Sequence, residues 1–282
     1  MQIDSRISVS ILALLIGFYA WFSVPDVFSF YDYFDSMLVD KRVDSLTITN
    51  SDVYLRYYLL SVGYELGVPK IIPFLESIGL LIMTYLVTVQ ISKRRISGLV
   101  SVIIVSTSNL FLFYDTSVAY DNSWVLFLLL GVYFSKRWVG TVSFLASIFC
   151  KQMTAVFVPS MIFLQLKNKK LGLAYIITGV IGIYLAFDLY DSFKPDEFAK
   201  GLTDSFYWLQ SDLYMIVMVP IVMFFLFYFR KKYDNTMIPF VFMANSIVSG
   251  GIVEGFTPML NEAYRYIPLV VFFAIGDRKS VV

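Results

Sequence analysis

The chain has 282 residues, 58% of them apolar, a mean hydropathy of +0.73 and a net charge of only +1, values that fit neither a soluble domain nor a basic nucleic-acid binder. Its single cysteine, Cys150, excludes an intrachain disulfide, and the lack of histidine removes the commonest metal ligand and the usual proton shuttle at neutral pH. Haem, copper and zinc enzymes are therefore disfavoured, and no glycine-rich phosphate loop points to a nucleotide-binding domain.

Runs of about 18 or more apolar residues are expected to cross a bilayer, because roughly 20 helical residues span its ~30 Å hydrocarbon layer. In chain order they are 7–24, 71–91, 96–114, 171–189, 212–229 and 237–253, with shorter segments at 122–135 and 263–275. The first is read as a span and not a cleaved signal peptide, since Trp21, Phe22 and Pro25 stand where a small-residue cleavage site would be. The gaps between runs alternate in charge. Placing every basic cluster on one face puts 14 Lys+Arg and 3 Asp+Glu there, or 14 − 3 = +11. The other face then holds 8 bases and 18 acids, or 8 − 18 = −10. The positive-inside rule makes the basic face cytoplasmic, with both termini on it.

The long polar stretch 25–70 carries Asp26, Asp32, Asp35, Asp40, Asp44 and Asp52, and its segments SFYDYFDSMLVDKRVDSL and SDVYLRYYLLSVGYELGVP suit two interfacial amphipathic helices. Most of these acids read as a solvated face. One held among the aromatics would gain general-base character through burial. Arg56, set among Tyr54, Tyr57 and Tyr58, suits either a ligand role or pairing with one of these acids.

The next outer loop, YDTSVAYDNS, brings Asp115 and Asp121 to the membrane surface, and Asp121 or Asn122 can equally cap the following helix. Residues 138–166 are apolar apart from Lys151 and Gln152 at their middle. One straight helix of ~43 Å would invert every later basic cluster, so a short hairpin, 138–150 out and 153–166 back, is expected. About ten membrane segments result. Lys151 then lies at membrane depth, where an ammonium is costly unless it meets a polar cavity and an anion; snorkelling to the interface is the plain alternative. Arg265 stands about one turn inside the last span between Tyr264 and Tyr266. It suits either phosphate recognition or an aromatic-belt anchor.

Taken together, the acid-bearing first loop (YDYFDS), YLRYYLLSVGYELGVP, YDTSVAYDNSWVLFLLLGVYF followed by SIFCKQMTAVFVPSMIFL, and AYRYIPLVVFFAI resemble the GT-C superfamily of polytopic glycosyltransferases. The His-Pro-Pro-Leu-type motif of many members is absent, and the chain reads as a minimal or divergent form. The resemblance implies a single all-α transmembrane domain that moves a sugar, with inversion, from a polyprenyl-phosphate donor to a glycan or protein acceptor on the extracytoplasmic side. It implies Asp35 as general base with Asp32 as second choice, Asp121 as an acceptor-orienting group, and Lys151, Gln152, Arg265, Tyr266 and Arg56 as donor-binding residues. No cofactor is implied; a divalent cation that Asp121 helps to hold is the lesser alternative, with no ligand cluster in support of it. The plasma membrane of a prokaryote is expected over the endoplasmic reticulum. The alternatives are a non-catalytic membrane subunit bound to other membrane proteins, or a lipid or solute transporter.

Overall fold

Helix α1, Ser5–Val27, begins where the Asp4 carboxylate accepts a hydrogen bond from the Arg6 amide at 3.1 Å. That bond holds the Asp4 carboxyl below its ordinary value. Residues 4–29, 54–118, 122–166, 168–189, 213–231, 235–256 and 263–276 are described in this computed structural model, and every regular element among them is helical.

α1 is polar towards the protein and apolar away from it. Ser8, Tyr19 and Ser23 are buried, whereas Leu14, Phe18 and Trp21 are exposed. Helix α2, Tyr54–Glu65, stops at Gly67, whose φ of +70° is a left-handed conformation that glycine adopts without steric cost. Helix α3, Ile71–Ser92, ends on Lys93, the one non-glycine residue of positive φ (59°) among those described.

The expected span 96–114 is divided into α4, Arg95–Ser106, and α5, Asn109–Tyr114. The Ser106-Thr107-Ser108 run stands at the division. The hydroxyls of Ser106 and Thr107 both bond the Ile103 carbonyl, at 3.2 and 2.8 Å, beside the Thr107 amide at 3.0 Å, and the Ser108 amide turns to Val105.

Helix α6, Ser123–Tyr133, is followed by α7, Trp138–Cys150, a 3-10 segment Gln152–Phe157 and α8, Val158–Leu164. The chain reverses at Lys151, which is extended (φ −156°, ψ 112°). Its N–H donates to the Ser147 carbonyl, and its own carbonyl accepts from the Thr154 hydroxyl at 2.7 Å. The return limb ends beside the start of the outgoing one, where Gln165 Nε2 donates to the Ser135 carbonyl at 2.6 Å. Gly140 allows the close turn from α6 into α7. A Cβ there would stand 2.5 Å from the Phe134 carbonyl oxygen and 2.8 Å from the Tyr175 hydroxyl. Helix α9, Lys169–Leu189, lies on the hairpin through Gly179, where a Cβ would collide with Val158, an instance of small-residue helix packing.

Helix α10, Leu213–Tyr228, with Pro220 inside it, runs into a 3-10 turn at Phe229–Lys231. Helix α11, Met237–Phe256, a 3-10 turn Ala263–Tyr266 and α12, Ile267–Gly276, complete the order. Every residue of α12 is buried, and it packs against α3, α4, α5, α10 and α11. α12 is the hub, while α1, α9 and α10 form an outer layer whose exposed residues include Ile177, Val180, Tyr184, Phe224 and Tyr228.

Cross-links between distant helices fix which ends lie together. Ser8 and Tyr85 share a hydrogen bond of 2.6 Å, Gln90 donates to the Tyr133 carbonyl and Asn235 to the Ile91 carbonyl. Arg6, Lys93–Arg95, Lys136–Arg137, Lys169–Lys170 and Arg230–Lys231 therefore share one end of the bundle. Among the described residues two helices, Ser5–Val27 and Ile71–Ser92, are long and apolar enough to cross a membrane. The inner helices α4, α6, α7 and α12 have 10 to 13 residues and rise only about 15–20 Å. By length and composition together, those two are the candidate spans among the described residues.

Candidate functional site

The end away from the basic clusters is organised around Asp115, which follows α5 and is 2% exposed. Tyr19 and Ser23, one helical turn apart on the buried face of α1, both donate to Asp115 Oδ2, at 2.9 and 2.7 Å. Ser77 of α3 donates to the Asp115 backbone carbonyl at 2.7 Å, and Asn122 Nδ2 donates in turn to the Ser77 hydroxyl at 2.9 Å. Four separate stretches of chain are thereby tied together. Burial pushes the Asp115 carboxyl above its ordinary value, against the opposing effect of its two hydroxyl donors. Glu76, next to Ser77 in α3, is buried as well.

Cationic groups reach the same end from two other directions. Lys151, at the hairpin reversal, is partly buried with Nζ 6.0 Å from the centroid of the Trp124 ring. Trp124 lies two residues past Asn122 and is 2% exposed, and its carbonyl accepts from the Ser147 hydroxyl at 2.8 Å. The buried Trp124 indole N–H has no hydrogen-bond acceptor among the described residues. Gln152, beside Lys151, is buried. Arg265 and Tyr266 are both buried in the 3-10 turn before α12, which packs against α5, the helix that leads into Asp115. α11 packs against both this turn and the 3-10 segment that follows Lys151. Arg56 donates from Nη2 to the Val118 carbonyl at 2.7 Å and lies over the Tyr57 ring at 5.5 Å, fastening α2 over the loop that carries Asp115.

Of the acids singled out in the sequence, Asp32, Asp35 and Asp121 lie outside the described residues. Lys151, Gln152, Arg265, Tyr266 and Arg56 all stand at the Asp115 end. Asn122 precedes α6 but makes no side-chain cap, its amide being turned to Ser77 instead. The sequence reading passed over Tyr19, Ser23, Glu76 and Ser77. The available signal was polar groups spaced four apart within an apolar run, as in Tyr19 and Ser23, or a carboxylate one turn inside a span, as in Glu76. Among the described residues no group of three His, Cys, Asp or Glu side chains is arranged to hold a metal ion.

The chemistry available at this end is that of a partly desolvated carboxyl group, an ammonium on an aromatic face and a buried guanidinium. These groups suit the binding of a phosphorylated ligand and the handling of a proton. No protein-family profile matches the chain, and neither a curated protein nor a solved structure matches it.

Proposed function

We propose that the protein is a multi-pass membrane glycosyltransferase of the GT-C type, taking its sugar from a polyprenyl-phosphate carrier at the face opposite the basic clusters. The observation that carries this reading is the hairpin at Lys151. Its reversal brings an ammonium against Trp124, at the end of the bundle where Asp115 and Arg265 are buried. A departing polyprenyl phosphate needs cations, and Lys151 and Arg265 are the groups assigned to it. Gln152 adds a hydrogen-bond donor and Tyr266 an aromatic ring, while Arg56 holds α2 over the loop that carries Asp115. The acceptor proton goes to the first-loop carboxylate Asp35, with Asp32 as its neighbour, and Asp121 orients the acceptor.

The membrane part of the reading is supported by the inverted polarity of the outer layer. Leu14, Trp21, Val180 and Phe224 are exposed, whereas Ser8, Ser23, Thr84, Thr88, Ser101 and Ser246 are buried. A bilayer as surrounding solvent explains that pattern without a further partner. In this reading the basic end is cytoplasmic, both termini are cytoplasmic, and the roughly ten segments include inner helices too short to cross alone, shielded by α1, α9 and α10.

A second reading, that of a non-catalytic membrane subunit, is favoured by one feature. Asp115 Oδ2 accepts from two hydroxyls of α1 and its backbone carbonyl from Ser77 of α3, which ties both helices to the end of α5, as a structural acid does. The two readings part in one experiment. Purified protein is reconstituted with polyprenyl-phosphate-linked sugars and an acceptor glycan or peptide, and release of polyprenyl phosphate is followed. The glycosyltransferase reading predicts turnover that is lost in Asp35→Asn and falls at least tenfold in Lys151→Gln and Arg265→Gln, each with unchanged thermal stability. Full turnover in all three variants contradicts it.

A further inference from the structure

A cavity of about 590 Å3 opens at the basic end, on the opposite side of the bundle from Asp115. It lies where α3, α6 and α8 finish and α11 begins, with apolar walls that include Val132, Leu164 and Ile238. Lys93 and Lys136 line it, and no carboxylate is among its lining residues.

Helix C-termini present partial negative charge, which by itself would repel an anion. Here the carbonyls concerned are taken by side-chain amides. Gln90 serves Tyr133, Gln165 serves Ser135 and Asn235 serves Ile91, at 3.2, 2.6 and 3.4 Å. Each amide places an N–H on a carbonyl, and the two ammonium groups supply the positive charge of the site. A second observation concerns Lys93 alone. It closes α3 in a left-handed conformation that favours glycine, yet the residue there carries a charge and borders the cavity.

We propose that this cavity binds the phosphate-bearing headgroup of an anionic phospholipid, with Lys93 and Lys136 holding the phosphate and the apolar walls taking the first carbons of the chains. The inference rests on the membrane-spanning reading above and not on glycosyl transfer. A lysine near an anionic headgroup strengthens binding by about 1 kcal/mol, or about fivefold.

The test uses the full chain in nanodiscs of mixed phosphatidylglycerol and phosphatidylcholine, with lipid retained after delipidation counted by native mass spectrometry. Wild type is expected to enrich phosphatidylglycerol over phosphatidylcholine by at least tenfold. Lys136→Gln should lower that ratio about fivefold, and Lys93→Gly should do the same while keeping or raising thermal stability, because glycine relaxes the backbone. Lys169→Gln with Lys170→Gln, basic but outside the cavity lining, should leave the ratio within twofold of wild type. No enrichment by wild type overturns the proposal, as does an equal loss in the control, which would mark a general surface-charge effect. Displacement of phosphatidylglycerol by millimolar inorganic phosphate would make this a free-phosphate site and likewise overturn it. Failure of the protein to insert into the nanodisc would instead defeat the membrane reading itself.

Discussion

Replacing the two hydroxyl donors to Asp115 is the perturbation with the best-defined consequence. Tyr19→Phe and Ser23→Ala each delete one hydrogen bond to Oδ2, at 2.9 and 2.7 Å, and leave the remaining packing nearly intact. A hydrogen bond to a charged acceptor contributes about 1.5–3 kcal/mol, and one to a neutral acceptor about 0.5–1.5 kcal/mol. The double variant should therefore lose about 3–6 kcal/mol with Asp115 ionised and about 1–3 kcal/mol with it protonated. The sign with pH follows from burial. The folded carboxyl lies above its unfolded value of 3.8, so the folded state binds the proton more tightly. Stability then rises as pH falls through the folded value towards 3.8, and levels off below it. Removing the donors, which favour the charged form, enlarges this dependence. The assay is reversible unfolding in mixed micelles at pH 8 and pH 4, with Asp115→Asn as a variant that cannot ionise. A double variant within 0.5 kcal/mol of wild type at pH 8, or one equally destabilised at both pH values, would refute the account of this cluster.

Gly140→Ala should cost about 1–3 kcal/mol and lower the melting temperature, because its Cβ meets backbone at Phe134 and cannot be accommodated by a rotamer change. Gly17→Ala, with nothing within 4 Å, should instead stabilise by about 0.5–1 kcal/mol in the same thermal scan. Gln165→Leu leaves the Ser135 carbonyl without its buried donor and should destabilise by about 1–3 kcal/mol in the same micelle unfolding assay. Trp124→Leu removes the aromatic face beside Lys151 and, in the reconstituted transfer assay, should raise the donor concentration for half-maximal turnover more than it lowers the maximal rate.

The long apolar elements were legible because hydropathy and length are local properties. Expected spans at 7–24, 71–91 and 237–253 correspond to Ser5–Val27, Ile71–Ser92 and Met237–Phe256. The reversal at Lys151 was legible from the spacing of basic clusters on either side of it. The break at residues 106–108 was not, since three small hydroxyl residues scarcely lower the hydropathy of a run. Lys151, Gln152, Arg265 and Tyr266 stood out because polar groups inside apolar runs are costly and call for a reason. The Asp115 cluster did not. Its bonds join residues 38, 92 and 96 positions apart, and no local pattern announces that Tyr19, Ser23 and Ser77 face one carboxyl group.

Sided labelling of single cysteines, introduced into a Cys150→Ala background and probed with a membrane-impermeant maleimide on intact spheroplasts and on inverted vesicles, bears most directly on the two-ended architecture. Lys93→Cys, Lys136→Cys, Lys169→Cys and Arg230→Cys should all react only in inverted vesicles, and Lys70→Cys only in spheroplasts. Reaction of Lys169→Cys or Arg230→Cys from the same side as Lys70→Cys would contradict the account, for the chain would then have crossed at Lys151 and not turned back.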